Sequence, residues 1–276
     1  MNKKLLGLTL AAVMLLVPAF TGCSSGSKAA TEDALADGVL SVAVDDTYLP
    51  MEFRDDQNQL VGFDVDFAKA LGDALGVSVE FKTVAWDGIF NGLNAKQYDA
   101  IISSTSITPE RQKSFSMTDP YVANGIVIVS RKDATPVKTF KELDGKTLGA
   151  QIQTTADIAA GKLKEQQSVN VEIKEYDGML DAFAALQGKQ IDNVITDVGV
   201  AMYYVAQNPD LFVVSSDVLT NEPIGITSRL EDKTTTTKFN EAIKKLQDNG
   251  KLTEISMKWF GTDMTKDIDT KLSVVE

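Results

Sequence analysis

The chain alternates between two hydrophobic periods. "GVLSVAVD" (38–45) is β-branched and apolar, as a buried strand requires, whereas "GFDVDFAKALGDALG" (62–76) spaces Phe63, Val65, Phe67, Ala68, Leu71 and Leu75 at near-helical intervals. A strand, "VSVEFKTV" (77–84), a helical "WDGIFNGLNAKQ" and a further strand, "YDAII" (98–102), follow. Strands alternating with helices on short connections predict parallel βαβ units, hence an α/β fold. After Ile107, "TPER" offers an N-cap at Thr108, a proline at the first helical position and Glu110 in the first turn, so a helix begins there. Arg111 then lies where a cation opposes the helix dipole, and it needs an anion, whether Glu110, Asp119 or a ligand carboxylate.

The pattern recurs. "LNAKQYDAIISS" (93–104) overlays "LQGKQIDNVITD" (186–197) at a constant offset of 93 residues, and "GVLSVAV" (38–44) has a looser counterpart in "GKTLGAQ" (145–151). A shared helix–strand grammar would also produce such a match, but two similarly built lobes are expected. The offset pairs Ser104 with Asp197, each at a strand's carboxyl end, where open parallel sheets bind their ligands. Facing lobes would set the two across one cleft.

Composition narrows the chemistry. Residues 1–22 run from Lys3 and Lys4 through an apolar stretch, Leu5 to Phe20, that is shorter than the ~20 residues a membrane-spanning helix needs. They read as a signal peptide of the lipoprotein type. "FTGC" resembles the lipobox of bacterial lipoproteins, with Phe20 where leucine is preferred, so Cys23, the single cysteine, is the expected lipidation site and 23–36 a flexible tether. Without the leader, 25 basic side chains face 39 acidic ones, a net charge of −14, which disfavours nucleic acid. The chain has no histidine, which excludes His-metal sites and His-based triads.

From about residue 37 to 265 the chain resembles the polar amino-acid-binding proteins of bacterial ABC importers, solute-binding protein family 3. The resemblance is carried by "VAVDDTYLPMEF" (42–53), "GFDVDFAKALG" (62–72), "WDGIFNGL" (86–93), "YDAIISSTSITPER" (98–111), "FSMTDPY" (115–121), "ITDVGVA" (195–201) and "MKWFGTD" (257–263). It implies a two-lobed periplasmic-binding-protein-like fold (type II), each lobe a mixed, mostly parallel sheet flanked by helices. Lobe 1 would take 37–121 plus 225–270 and lobe 2 126–219, with hinges at 121–125 and 220–224. It also implies a monomer on the extracytoplasmic face of the membrane, anchored by lipid, working with an ABC permease and its ATPase, and neither an enzyme nor a cofactor protein.

By position, the resemblance gives Arg111 the α-carboxylate of a free L-amino acid, assisted by Ser106, Thr154 and Thr155. It gives Asp197 the α-ammonium, with Ser104 opposite. Tyr48 and Trp86 match the aromatics that sandwich the ligand side chain, and Asp45 and Gln151 match positions that read its far end. The plainer alternatives are core aromatics for Tyr48 and Trp86, and a turn cap or an Arg111 orienter for Asp45. Glutamine-binding relatives carry a lysine where this chain has Gln151, and "SGTG" where it has "IQTT" (152–155), which counts against glutamine. Asp45, Asp46 and the aromatic faces lean towards arginine or lysine among polar amino acids, with neutral polar ligands close behind. Two further possibilities are a cyclohexadienyl dehydratase-like enzyme on the same fold and a sensor or adhesin without transport.

Overall fold

A computed structural model describes residues 34–275. The leader and Cys23 lie outside these residues, as does the tether up to residue 33. Within the segment expected as a tether, Leu35 is buried in the core and the Ala34 N–H donates to Thr235 Oγ1.

The first stretch runs β1 (Val39–Val44), β2 (Thr47–Tyr48), β3 (Glu52–Arg54), β4 (Leu60–Val61), α1 (Phe63–Leu75), β5 (Ser78–Thr83), α2 (Trp86–Asn94), β6 (Ala100–Ile101), α3 (Pro109–Ser114) and β7 (Phe115–Met117). The second holds β8 (Ile126–Arg131), a 3-10 turn (Phe140–Leu143), β9 (Thr147–Gln151), α4 (Thr155–Gln167), β10 (Glu172–Tyr176), α5 (Met179–Gln187), β11 (Asn193–Asp197), α6 (Val198–Gln207) and β12 (Phe212–Val214). The last adds β13 (Thr227–Arg229), α7 (Lys233–Asp248) and α8 (Lys251–Phe260).

Two five-stranded sheets result, ordered β5-β1-β6-β13-β7 and β10-β9-β11-β8-β12, with β2-β3-β4 as a small third sheet. In each large sheet the first three strands are parallel, and one strand, β13 or β8, runs against all the others. That reversed strand is always the first after the chain crosses between lobes. The predicted correspondence of β1 with β9 and of β6 with β11 is thus a correspondence of position in two like-built sheets.

The two crossings run antiparallel and bonded to each other. Tyr121 N–H donates to Ile224 O, Ile224 N–H to Val122 O, and Glu222 N–H to Asn124 O, each at 3.0 Å. At Gly125 a β-carbon would lie 2.3 Å from Thr220 O, so no larger residue fits there. The segment after α8 adds a third crossing that the sequence did not suggest. Met264 O accepts from Ala123 N–H, Ser273 exchanges backbone bonds with Asn221, and Val275 packs on the second lobe while its carbonyl accepts from Lys162 Nζ.

Candidate functional site

Every ligand-site residue read from the sequence borders one cavity between the lobes, lined by Asp45, Tyr48, Trp86, Ser104, Ser106, Arg111, Gln151, Thr154, Thr155 and Asp197, with Ser103 beside them. The fold explains the convergence. Asp45 follows β1, Gln151 ends β9 and Asp197 ends β11, so the carboxyl ends of parallel strands in both sheets open on the cavity. Trp86 and Arg111 come from the first turns of α2 and α3, and Thr154 and Thr155 from the start of α4.

The lobes touch directly across this cleft. Tyr48 hydroxyl donates to Asp197 Oδ2 at 2.7 Å, and Gln151 Nε2 donates to Asp45 Oδ2 at 2.6 Å. Trp86 Nε1–H donates to Gln153 O at 3.3 Å, and the Ser106 and Thr155 hydroxyls lie 3.4 Å apart. Where β2 meets α5 the approach is so close that a β-carbon on Gly178 would stand 2.8 Å from Thr47 Oγ1.

Asp197 occupies the N-cap position of α6, yet its side chain makes no capping bond. Its carboxylate turns to the cavity instead, taking Tyr48 on Oδ2 and the Asn124 side-chain amide on Oδ1 at 2.9 Å. Burial raises its pKa above the usual 3.8, opposed by those two bonds and by the Arg111 charge. Asp45 is raised likewise by burial, while Thr47, through both its N–H and its hydroxyl, and Gln151 hold the charged form. The same burial pushes the Tyr48 hydroxyl well up, so it stays a donor.

Arg111 packs its guanidinium on two rings, 5.5 Å from the centre of Trp86 and 5.2 Å from that of Phe90, and donates from Nη1 to Ser106 O at 2.9 Å. Burial lowers its pKa to about 10, with Glu222 and Asp197 opposing, so it remains a cation at neutral pH. Its backbone N–H bonds to Thr108 Oγ1, the N-cap the sequence predicted. Glu110 pairs with Lys113, and the acids whose charges act on the guanidinium are Glu222 and Asp197 rather than the Glu110 or Asp119 of the plainer reading.

Two expectations shift. Thr154 caps α4, accepting from Asp157 N–H while its hydroxyl proton goes to Gln151 O, so that proton is committed within the lobe. Ser104 is not at a strand end: β6 stops at Ile101, and Ser104 takes a left-handed turn (φ 46°) with its N–H on Asp64 Oδ2 at 2.7 Å. Sequence reasoning also missed Asn124, which holds Asp197, and Glu222, a buried acid near Arg111. Both lie in the crossing segments "VANG" and "NEPIG", where no periodic pattern marks a side chain as facing a cleft.

The model of the bacterial extracellular solute-binding proteins, family 3, matches residues 40–262. The chain belongs to this family. ABC transporter arginine-binding protein 1 of Escherichia coli is 34% identical over 225 residues, covering 80% of this chain and 90% of that protein. The L-cystine-binding protein TcyJ of Escherichia coli is 30% identical over 230 residues, 83% and 85% of the two chains. Among solved structures, a mutant of ArgBP from T. maritima superposes with a TM-score of 0.77 at 37% identity, over 84% of this chain and 99% of that one. The family's members are two-lobed solute-binding proteins, and among the described residues of this one no helix is long and apolar enough to cross a membrane.

Proposed function

We propose that this chain is the amino-acid-binding component of an ABC importer, and that it holds the ligand zwitterion between Arg111, on the α-carboxylate, and Asp197, on the α-ammonium. The observation that carries this reading is that Arg111 and Asp197, a cation and a carboxylate on different lobes, line the same cavity. A zwitterion leaving water must have both charges paired or desolvation cancels its binding energy. Because the two partners belong to different lobes, only the closed form satisfies both ends, and ligand shifts the open–closed population towards the form a permease would engage.

The ligand side chain is proposed to be cationic, that of arginine or lysine. The residues around the cavity comprise one arginine against Asp45 and Asp197, an excess of negative charge, and Tyr48 and Trp86 supply aromatic faces. Similarity to arginine-binding proteins agrees with this, although an ancestral arginine-binding protein, 36% identical to this chain, has been solved with glutamine as well as with arginine. The enzyme alternative gains little from AncCDT-1, 32% identical and a precursor of cyclohexadienyl dehydratase, because that protein is itself described as an amino-acid-binding protein. Lipidation at Cys23, attachment to the outer face of the cell membrane and a monomeric state complete the proposal.

A thermal-shift screen of the twenty amino acids tests it, since a ligand bound only by the folded state raises stability by mass action. Arginine or lysine should give the largest shift. No shift with any of the twenty would overturn amino-acid binding, and a shift with acidic amino acids alone would overturn the charge argument.

A further inference from the structure

Directly behind the pocket loop lies a pair of acids with no exposed surface, Glu52 of β3 and Asp64 of α1. Glu52 Oε1 accepts from Ser103 Oγ at 2.6 Å, and the same hydroxyl oxygen accepts from Asp45 N–H at 3.0 Å. Asp64 Oδ2 accepts from Ser104 N–H at 2.7 Å and Oδ1 from the Tyr121 hydroxyl at 2.8 Å. Glu52 Oε2 is buried and meets no donor. The two acids stand side by side: they hold consecutive loop residues, Ser103 and Ser104, and the Asp64 N–H donates to Met51 O at 2.9 Å, one residue before Glu52.

Two neighbouring carboxylates away from water are costly to ionise together, and a proton on Glu52 Oε2 would account for its lack of a donor. Asp64 is the better anion: it already holds an N–H and an O–H, and it sits in the first turn of α1, where the helix dipole favours negative charge. The proton is therefore assigned to Glu52, while burial raises the Asp64 carboxyl to about 6. The other titratable groups facing the pair are Asp45 beyond β1, Tyr48 on β2 and Tyr121 in the first crossing.

We propose that Glu52 and Asp64 share one proton and act as positioning residues for the ligand pocket. The singly protonated pair holds Ser103 under Asp45 and keeps Ser104 in its left-handed turn, and through Tyr121 it ties that loop to the crossing between lobes. Neither acid borders the cavity. Their effect on ligand passes through Asp45, Ser103 and Ser104, so this part of the inference rests on the proposed function, whereas the proton sharing does not.

The pH dependence has a definite sign. Burial and Asp64 hold the Glu52 proton well above the usual 4.5, so above that pH the folded protein binds more protons than the unfolded chain and stability falls as pH rises. Thermal denaturation of the ligand-free protein from pH 6 upwards should show this fall in the wild type and a flatter profile in Glu52→Gln, whose amide does not titrate. An infrared band of a buried protonated carboxyl should be present in the wild type at pH 7. With L-arginine as probe at pH 7, Asp64→Asn, which offers Ser104 and Tyr121 no anion, should bind about tenfold or more weakly than the wild type. Absence of the infrared band, or an unchanged pH slope in Glu52→Gln, would overturn the shared proton. Unaltered binding in Asp64→Asn would overturn the positioning role. Failure of the wild type to bind any amino acid would instead remove the proposed function and leave the band and the slope to decide the proton.

Discussion

Replacing Asp197 with Asn isolates the ammonium half of the clamp. The change is isosteric and removes one charge from a carboxylate only 7% exposed, whose oxygens are held by Tyr48 at 2.7 Å and Asn124 at 2.9 Å. In the ligand-free protein the losses and gains oppose each other. A hydrogen bond to a charged acceptor contributes about 1.5–3 kcal/mol, and the introduced amide sets a donor against one of two existing donors. Yet the cost of burying the charge disappears too, so the melting temperature should move by only a few degrees. Binding has no such offset, because the ligand ammonium would be left buried and unpaired. Truncating one partner of a buried charge pair costs about 2–5 kcal/mol, or roughly 30-fold to several thousandfold in affinity. Calorimetric titration with the amino acid that gives the largest thermal shift reads this directly. It should also show wild-type affinity falling as pH drops and Asp197, its pKa raised above 3.8 by burial, takes up a proton; the variant should lack that contribution. Affinity within threefold of the wild type, or the same acid limb in both proteins, would refute the assignment.

Arg111→Ala should abolish measurable amino-acid binding while lowering the melting temperature by only about 2–4 °C, the equivalent of about 1 kcal/mol for the lost contacts with Trp86 and Phe90; retained binding would remove the carboxylate role. Gly178→Ala puts a methyl group 2.8 Å from Thr47 Oγ1 across the cleft and involves no left-handed backbone, so scattering should show a more open protein that binds more weakly without loss of secondary structure. At Gly125 the same substitution meets the Thr220 carbonyl at 2.3 Å between the crossings and should cost about 1–3 kcal/mol in denaturant unfolding. Gln151→Glu sets a second carboxylate against Asp45, where 2.6 Å now separates donor and acceptor; binding should weaken at neutral pH and recover partly in mild acid.

The alternation of periods read as βαβ units became two sheets of the same order, and the offset of 93 residues between "LNAKQYDAIISS" and "LQGKQIDNVITD" became β6 and β11 in matching places. Such features are legible because burial on both faces of a strand, or on one stripe of a helix, forces a period on the sequence. Thr108 was legible for a related reason: an N-cap is a local chemical requirement met within three residues. Asn124 and Glu222 were not, because their contacts depend on how two crossings separated by about a hundred residues of chain come together. The third crossing was hidden in the same way: "KLSVV" (271–275) carries no pattern that tells a strand against Asn221 from a free tail. Thr154 has a role the sequence reading did not assign: its hydroxyl caps α4 and donates to Gln151 O. The acid pair was visible only as two letters in "MEF" and "GFD", since nothing in the alternation of either segment distinguishes a buried carboxyl from an exposed one.

The clamp itself can be tested with three matched ligands: the preferred amino acid, its decarboxylated amine and its deaminated acid. The amine lacks the group for Arg111 and the acid lacks the group for Asp197, while the side chain stays the same. Calorimetric titration of the wild type should give binding for the amino acid and a loss of about a hundredfold or more for each analogue, since each leaves one buried charge without its partner. An analogue that binds as tightly as the amino acid would contradict the account.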